Sequence, residues 1–243
     1  MRHLVLVLAL ACSAATTACG SNGPSGPTPN TPRISRTRFL AFGDSFTAGE
    51  VTSPVASSST FAQKLVVVPA ASYPSVLQSQ LQTTYAAQAS AIAVINSGQP
   101  SERILEGVQR FPETFAASRA EVVLLMEGVN GLPLVGPDIS TGVMRIMVQE
   151  AKHGRARVFV GSMIPQVSSR PRGITPVSEL LAYNSVLQIM CTQEGVTYVD
   201  LYNAMLTDAA TLIGSDGLHP TEAGYRRIAE LFFAAIRREL EER

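Results

Sequence analysis

The sequence predicts an α/β fold, a three-layer α/β/α sandwich around a five-stranded parallel sheet. Three observations carry this. Short β-rich apolar runs recur along the chain without strict alternation of apolar and polar residues, as in strands covered on both faces. Longer amphipathic segments separate them, so the strands are joined by helical crossovers, which are right-handed. No internal repeat competes with this reading.

The runs, in order, are "RFLAFG" (Arg38 to Gly43), "AIAVINSG" (Ala91 to Gly98), "EVVLLMEG" (Glu121 to Gly128), "ARVFVGSMI" (Ala156 to Ile164) and "VTYVDLY" (Val196 to Tyr202). Helical patterns occupy Tyr73 to Tyr85, Arg103 to Ser118, Ile139 to His153, Pro176 to Glu194 and Thr221 to Glu241. Val51 to Ser72 is a long insertion after the first run, apolar at Leu65 to Val68; it suits the wall of an acyl groove, a strand or a core-packing loop equally. "LPLVG", Leu132 to Gly136, is a candidate opposite wall.

Ahead of this domain the chain has a different character. "MRHLVLVLALACSAATTACG" places Arg2 and His3 before an apolar run and then small residues, the layout of a secretory signal. Its apolar part, Leu4 to Cys12, is shorter than the roughly 20 residues that span a bilayer. "TTAC", Thr16 to Cys19, resembles a bacterial lipobox, with Thr16 where Leu is usual. That resemblance implies lipidation at Cys19 and membrane anchoring after export; free secretion is the alternative. Residues 20–37 are rich in Pro, Gly, Ser and Thr and bury little, which predicts a disordered tether. The expected organisation is a signal over 1–19, a tether over 20–37 and one domain over 38–243.

Composition narrows the function. At 243 residues, 46% hydrophobic and 16% charged, the chain supports one good core. With 19 basic and 19 acidic residues and no Lys/Arg-rich run, it lacks the footprint of a nucleic-acid binder. Removal of Cys12 and loss or lipidation of Cys19 leave Cys191 alone, so no disulfide framework is expected. Cys191 itself sits in a helical pattern, as a small buried hydrophobe does. No metal or other cofactor is implied. His3 lies in the signal, His153 at a helix end suits the helix dipole, and His219 alone is too few for zinc.

Ligands of open parallel sheets bind beyond the carboxyl ends of the strands, which makes the strand exits the places to search. Gly43-Asp44-Ser45 follows the first run. A small polar turn is how any α/β chain leaves a strand, so Ser45 alone proves nothing. "SDGLHP" is more telling. Asp216 and His219 share one short loop, and two side chains so spaced can hydrogen-bond, fixing an imidazole tautomer. A turn followed by a surface His is its bland counterpart. Ester hydrolysis needs an activated hydroxyl, a base, an orienter for that base and oxyanion donors, and all these types stand at strand exits.

"FGDSFTAG" around Ser45, "INSGQPSE" around Gly98, "EGVNG" around Asn130 and "DGLHP" around His219 resemble, in family order, the four blocks of the SGNH hydrolases, also called GDSL esterases and lipases. The resemblance covers the domain from Arg38 onward. It implies the SGNH, flavodoxin-like form of the sandwich, with Ser45 as nucleophile, His219 as general base and then acid, and Asp216 as its orienter. It also implies an oxyanion hole from the Ser45 N–H, a second-block N–H and the Asn130 side chain, Asn130 otherwise being a turn cap. Ser101 stands where many members have Gly, leaving the second donor open between Ser101 and Gly98. Gly131 stands where Asp is usual, which should loosen the site rather than abolish it. The implied substrate is a small-molecule, lipid or carbohydrate ester. An exported serine esterase is the leading expectation, a carbohydrate O-acetyl esterase or acyltransferase the second, and a non-catalytic surface binding module the third.

Overall fold

The computed structural model describes residues 31–53 and 64–242. The signal, Cys19 and most of the tether lie outside them. The fold begins before Arg38, where the sequence placed its start. Strand β1 (Arg33–Ile34) pairs antiparallel with β9 (Glu241–Glu242) at the other end of the chain. Ile34 is buried, and the Gln88 side chain bonds both its N–H and its carbonyl. Ile34, the strand pairing and the bonds from Ser35 N–H to the Leu240 carbonyl and from Thr37 N–H to Glu121 together bring Arg33 to Thr37 into the folded unit.

The five apolar runs form the central sheet as predicted, trimmed at their ends. Its strands are β2 (Arg38–Gly43), β5 (Ala93–Gly98), β6 (Val122–Met126), β7 (Arg157–Gly161) and β8 (Thr197–Val199). They are all parallel, in the order β5-β2-β6-β7-β8. β6 is central, and every residue in it is buried. β5 departs from the expectation of two covered faces. It is one of the two edge strands, and Ala93, Ile95 and Asn96 are exposed. The order places the exit of β2 where successive crossovers leave in opposite directions, the crevice that doubly wound sheets offer to ligands.

Short elements that periodicity could not reveal fill the first crossover. They are the one-turn helix α1 (Ser45–Ala48) and the hairpin β3 (Glu50–Ser53) with β4 (Lys64–Val67). The strand option for the insertion therefore holds over residues 51–53 and 64–67, while Pro69–Ala71 forms a single 3-10 turn, and Val51 packs against the core. Helices α2 (Tyr73–Thr84) and α8 (Glu222–Leu240) pack together on one face. On α8 a stripe at helical spacing, Tyr225, Ile228, Phe232 and Ile236, is buried, and Phe232 stacks on Tyr73 at 5.2 Å. Helices α3 (Ile104–Ser118), α4 (Leu132–His153) and α5 (Val177–Glu194) pack in series on the other. α4 starts earlier than predicted, taking in "LPLVG" and bending where Gly136 adopts φ 75°. Short helices α6 (Leu201–Leu206) and α7 (Ala209–Leu212) lead into the His219 loop. Cys191 is buried, and burial pushes its thiol up to about 12, consistent with a packing role.

Candidate active site

The turn after β2 is built by its neighbours. A Cβ on Gly43 would stand 1.9 Å from the Met126 carbonyl oxygen, so only glycine lets β2 approach β6 here. Asp44 then caps α1, its Oδ1 accepting from the Phe46 N–H at 3.0 Å. Ser45, 2% exposed, becomes the first residue of the helix. First-turn N–H groups have no intrahelical acceptor, and the Ser45 N–H bonds to none of the described residues. Gly49 at φ 90° ends the turn.

The His219 loop is braced from behind. Gly214 N–H donates to the His219 carbonyl at 2.7 Å, and the Arg170 guanidinium donates to the carbonyls of Ile213 and Gly214. Within it Asp216 Oδ2 meets His219 Nδ1 at 2.6 Å, and Oδ1 accepts from the N–H groups of Leu218 and His219. Burial raises the Asp216 carboxyl, but the His219 side chain and these donors outweigh it and hold the group below its ordinary value. His219 Nε2 lies 3.0 Å from Ser45 Oγ. Residues 174 positions apart thus form one hydrogen-bonded relay, Ser45 to His219 to Asp216.

In the second block the two candidate donors, Gly98 and Ser101, differ in what their N–H groups bond to. Gly98 N–H already donates to Asn96 Oδ1 at 3.0 Å. A Cβ at Gly98 would come within 2.0 Å of the Ala48 N, so its glycine serves the seating of α1. Ser101 adopts φ 66°, a conformation that glycine reaches freely and serine only with strain, and its N–H bonds to none of the described residues. Next to it Glu102, 2% exposed, is gripped by the Arg110 guanidinium through two bonds of 2.7 and 2.6 Å. Asn130 Nδ2 donates to the Glu102 carbonyl at 2.9 Å, which ties the third block to the second. At Gly131 an added Cβ would sit 3.1 Å from Ile104 Cγ2, so Ile104 crowds the space that the usual Asp would need.

Sequence reasoning missed three groups. Glu50 Oε2 lies 3.2 Å from His219 Nε2. The Glu102–Arg110 pair was hidden because a salt bridge between a loop and a helix leaves no periodic signal. Beneath Ser45, Asp44 and Glu127 are fully buried, with Asp44 Oδ2 and Glu127 Oε2 lacking hydrogen-bond partners among the described residues. Burial pushes the Asp44 carboxyl up to about 7, against the pull of the Phe46 N–H and of His219. Burial and the charges of Asp44 and Glu102 push Glu127 well above its ordinary value. Among the described residues no three His, Cys, Asp or Glu side chains gather as a metal ion requires.

Asp44 leads to a pH prediction. A carboxyl raised from 3.8 to about 7 by folding keeps its proton longer in the folded chain. Stability therefore falls as pH rises from about 4 to about 7 and is flat above that, with a span of at most about 4 kcal/mol. Asp44→Asn keeps an acceptor for the Phe46 N–H and removes the titration. Melts from pH 4 to 8 should show the variant gaining on the wild type as pH rises through this window. A constant difference across it would refute the assignment.

The site is flanked by a cavity of about 240 Å³, lined by Val129, Asn130, Pro133, Arg172, Ile174 and Leu218 among others. Pro133, from "LPLVG", lines this cavity, and none of the described residues of the insertion after Ser45 does. The model of the GDSL-like lipase/acylhydrolase family matches residues 41–227. The chain belongs to this family. It is an SGNH-type ester hydrolase, and the match runs from within β2 to the start of α8. Solved structures share its fold. A lipase/acylhydrolase from Enterococcus faecalis is 21% identical, with 84% of this chain and 97% of that one aligned at a TM-score of 0.67. TesA is 20% identical over 82% of this chain and 98% of its own, at 0.62. An acetyl-xylooligosaccharide esterase from Geobacillus Stearmophilus is 22% identical over 84% and 95%, at 0.63. No curated protein matches the sequence.

Proposed function

We propose that this GDSL-family hydrolase cleaves carboxylic esters through an acyl-enzyme on Ser45. His219 takes the Ser45 proton and returns it to the leaving alcohol; Asp216 holds the Nδ1–H tautomer and steadies the imidazolium. The relay from Ser45 Oγ through His219 to Asp216, at 3.0 and 2.6 Å, carries the reading. For the oxyanion we assign the N–H groups of Ser45 and Ser101 and the Asn130 amide. Ser101 is preferred to Gly98 because its N–H is unspent. Hydrolysis of p-nitrophenyl esters of increasing chain length by the full chain, with mass mapping of the serine acylated, tests it. Absence of turnover on every ester, or acylation elsewhere than Ser45, would refute it.

Acetyl groups on carbohydrate are a second reading of the substrate. The cavity of about 240 Å³ suits a short acyl group, and one structural neighbour is an acetyl-xylooligosaccharide esterase. Release of acetate from acetylated xylo-oligosaccharides at rates above those on p-nitrophenyl acetate would support it.

The chain's first residues support export with a lipid on Cys19. A palmitate analogue fed to expressing cells should tag the full-length protein and leave Cys19→Ser untagged. A mature protein without lipid would mean free secretion.

A further inference from the structure

We infer that Glu50 holds the water that deacylates the enzyme, and that it thereby selects water over alcohols as acyl acceptor. The inference rests on the acyl-enzyme reading above. Glu50 is placed with care. Gly49 at φ 90° turns the chain out of α1, the Gly49 carbonyl accepts from Val68 N–H at 2.9 Å, and the Glu50 carbonyl accepts from the Tyr225 hydroxyl at 2.6 Å. Its side chain is only 13% exposed, and no Lys or Arg among the described residues lies within ion-pair distance of it. A carboxylate so enclosed without a cationic partner is costly unless it accepts hydrogen bonds. What it faces is His219 Nε2, at 3.2 Å.

The other groups around that imidazole are accounted for. Asp216 holds Nδ1, Ser45 Oγ shares Nε2, the Phe46 ring meets the His219 ring at 5.8 Å, and Asp44 acts on it through charge alone. In the free enzyme the Ser45 hydroxyl donates to the Nε2 lone pair. Once Ser45 is acylated, its oxygen has no hydrogen, and Nε2 needs another donor. Two acceptors 3.2 Å apart are both within about 2.8 Å of a single water oxygen. Such a water gives one hydrogen to Nε2 and the other to Glu50 Oε2, so that the lone pairs of the water oxygen point away from both acceptors.

As the water oxygen bonds to the acyl carbon, its first proton passes to Nε2 and the carbonyl electron pair moves onto oxygen. When the tetrahedral adduct collapses, the bond to Ser45 Oγ breaks and Oγ takes the proton from Nε2. The acid leaves, and Glu50 has kept its hydrogen bond without gaining a proton. An alcohol has one hydroxyl hydrogen, and Nε2 takes it. Its alkyl group is then turned towards the carboxylate, which loses its hydrogen bond. Glu50 thus favours hydrolysis over transfer.

The test is the full chain with p-nitrophenyl acetate, with and without methanol, comparing wild type, Glu50→Gln and Glu50→Ala at matched thermal stability. Deacylation in Glu50→Ala should slow by about 100-fold, the size of a misplaced nucleophile, while acylation by the ester changes by less than about threefold. The ratio of methyl acetate to acetate formed should rise about tenfold. Glu50→Gln, which keeps an acceptor oxygen, should fall between. An unchanged product ratio, or an equal loss in acylation and deacylation, would overturn the role of Glu50. Absence of any Ser45 ester in quenched wild-type and variant reactions would instead refute the acyl-enzyme reading beneath it.

Discussion

Ser45→Ala should lower kcat by about 10⁴ to 10⁶ while the protein stays folded, because a relay of this kind acts as a unit. Alanine suits the first turn of a helix, and among the described residues the one side-chain bond it removes is that to His219. The Asp44 side-chain cap and the close approach of Gly43 to β6 are features of the turn that the change does not touch. A melting temperature close to the wild type is therefore part of the expectation. A fluorophosphonate should label the wild type at Ser45 and leave the variant unlabelled. Labelling that persists in the variant would move the nucleophile elsewhere. His219→Ala should lose as much activity as Ser45→Ala, and the double variant little more.

Much of this was legible in the chain because the central sheet announces itself. β6 reads as an unbroken apolar run since both its faces are covered, and the exits of β2, β5 and β6 follow at once from the run ends. Asp216 and His219 were readable because a contact three residues apart is set by one loop. Their distance to Ser45 was not, since it depends on the strand order. Contacts made by unlike elements, such as Glu102 with Arg110 or Glu50 with His219, have no period for a sequence to display. The lone Ile34 was likewise invisible, as one apolar residue makes no pattern.

The buried Asp44 shows how the site trades stability for charge. Its caps and its proximity to His219 favour the ionised form, while burial beside Glu127 favours the neutral one. In the proposed mechanism the ionised form is the useful one, since its charge steadies His219 as an imidazolium. Asp44→Asn is thus expected to be the more stable protein above neutral pH and the slower enzyme, which separates this residue from one kept for folding alone.

Asn130→Ala should cost about 10² to 10³ in kcat, or about 3 kcal/mol of transition-state stabilisation, with KM little changed. One hydrogen of its amide is held by the Glu102 carbonyl, which orients the group and leaves the other hydrogen free to face a developing charge. Alanine removes both. The second-block donor calls for a different experiment, and the geometry shows why. Proline at position 101 would delete the N–H, but its φ near −65° cannot match the 66° of Ser101, so it would also break the loop. Gly98→Ala would be severe for another reason, since its Cβ would push on Ala48 and displace the turn that carries Ser45. Ser101→Gly keeps the N–H and relieves a strain of about 1 kcal/mol, so its activity should hold and its melting temperature rise. Replacing the Ser101 amide by an ester, through the corresponding hydroxy acid, removes only the donor. That protein should fold and lose about 10² in kcat, a loss comparable to that of Asn130→Ala. Wild-type turnover in the folded ester-containing enzyme would exclude the Ser101 N–H from the oxyanion hole and leave Ser45 and Asn130 as its donors.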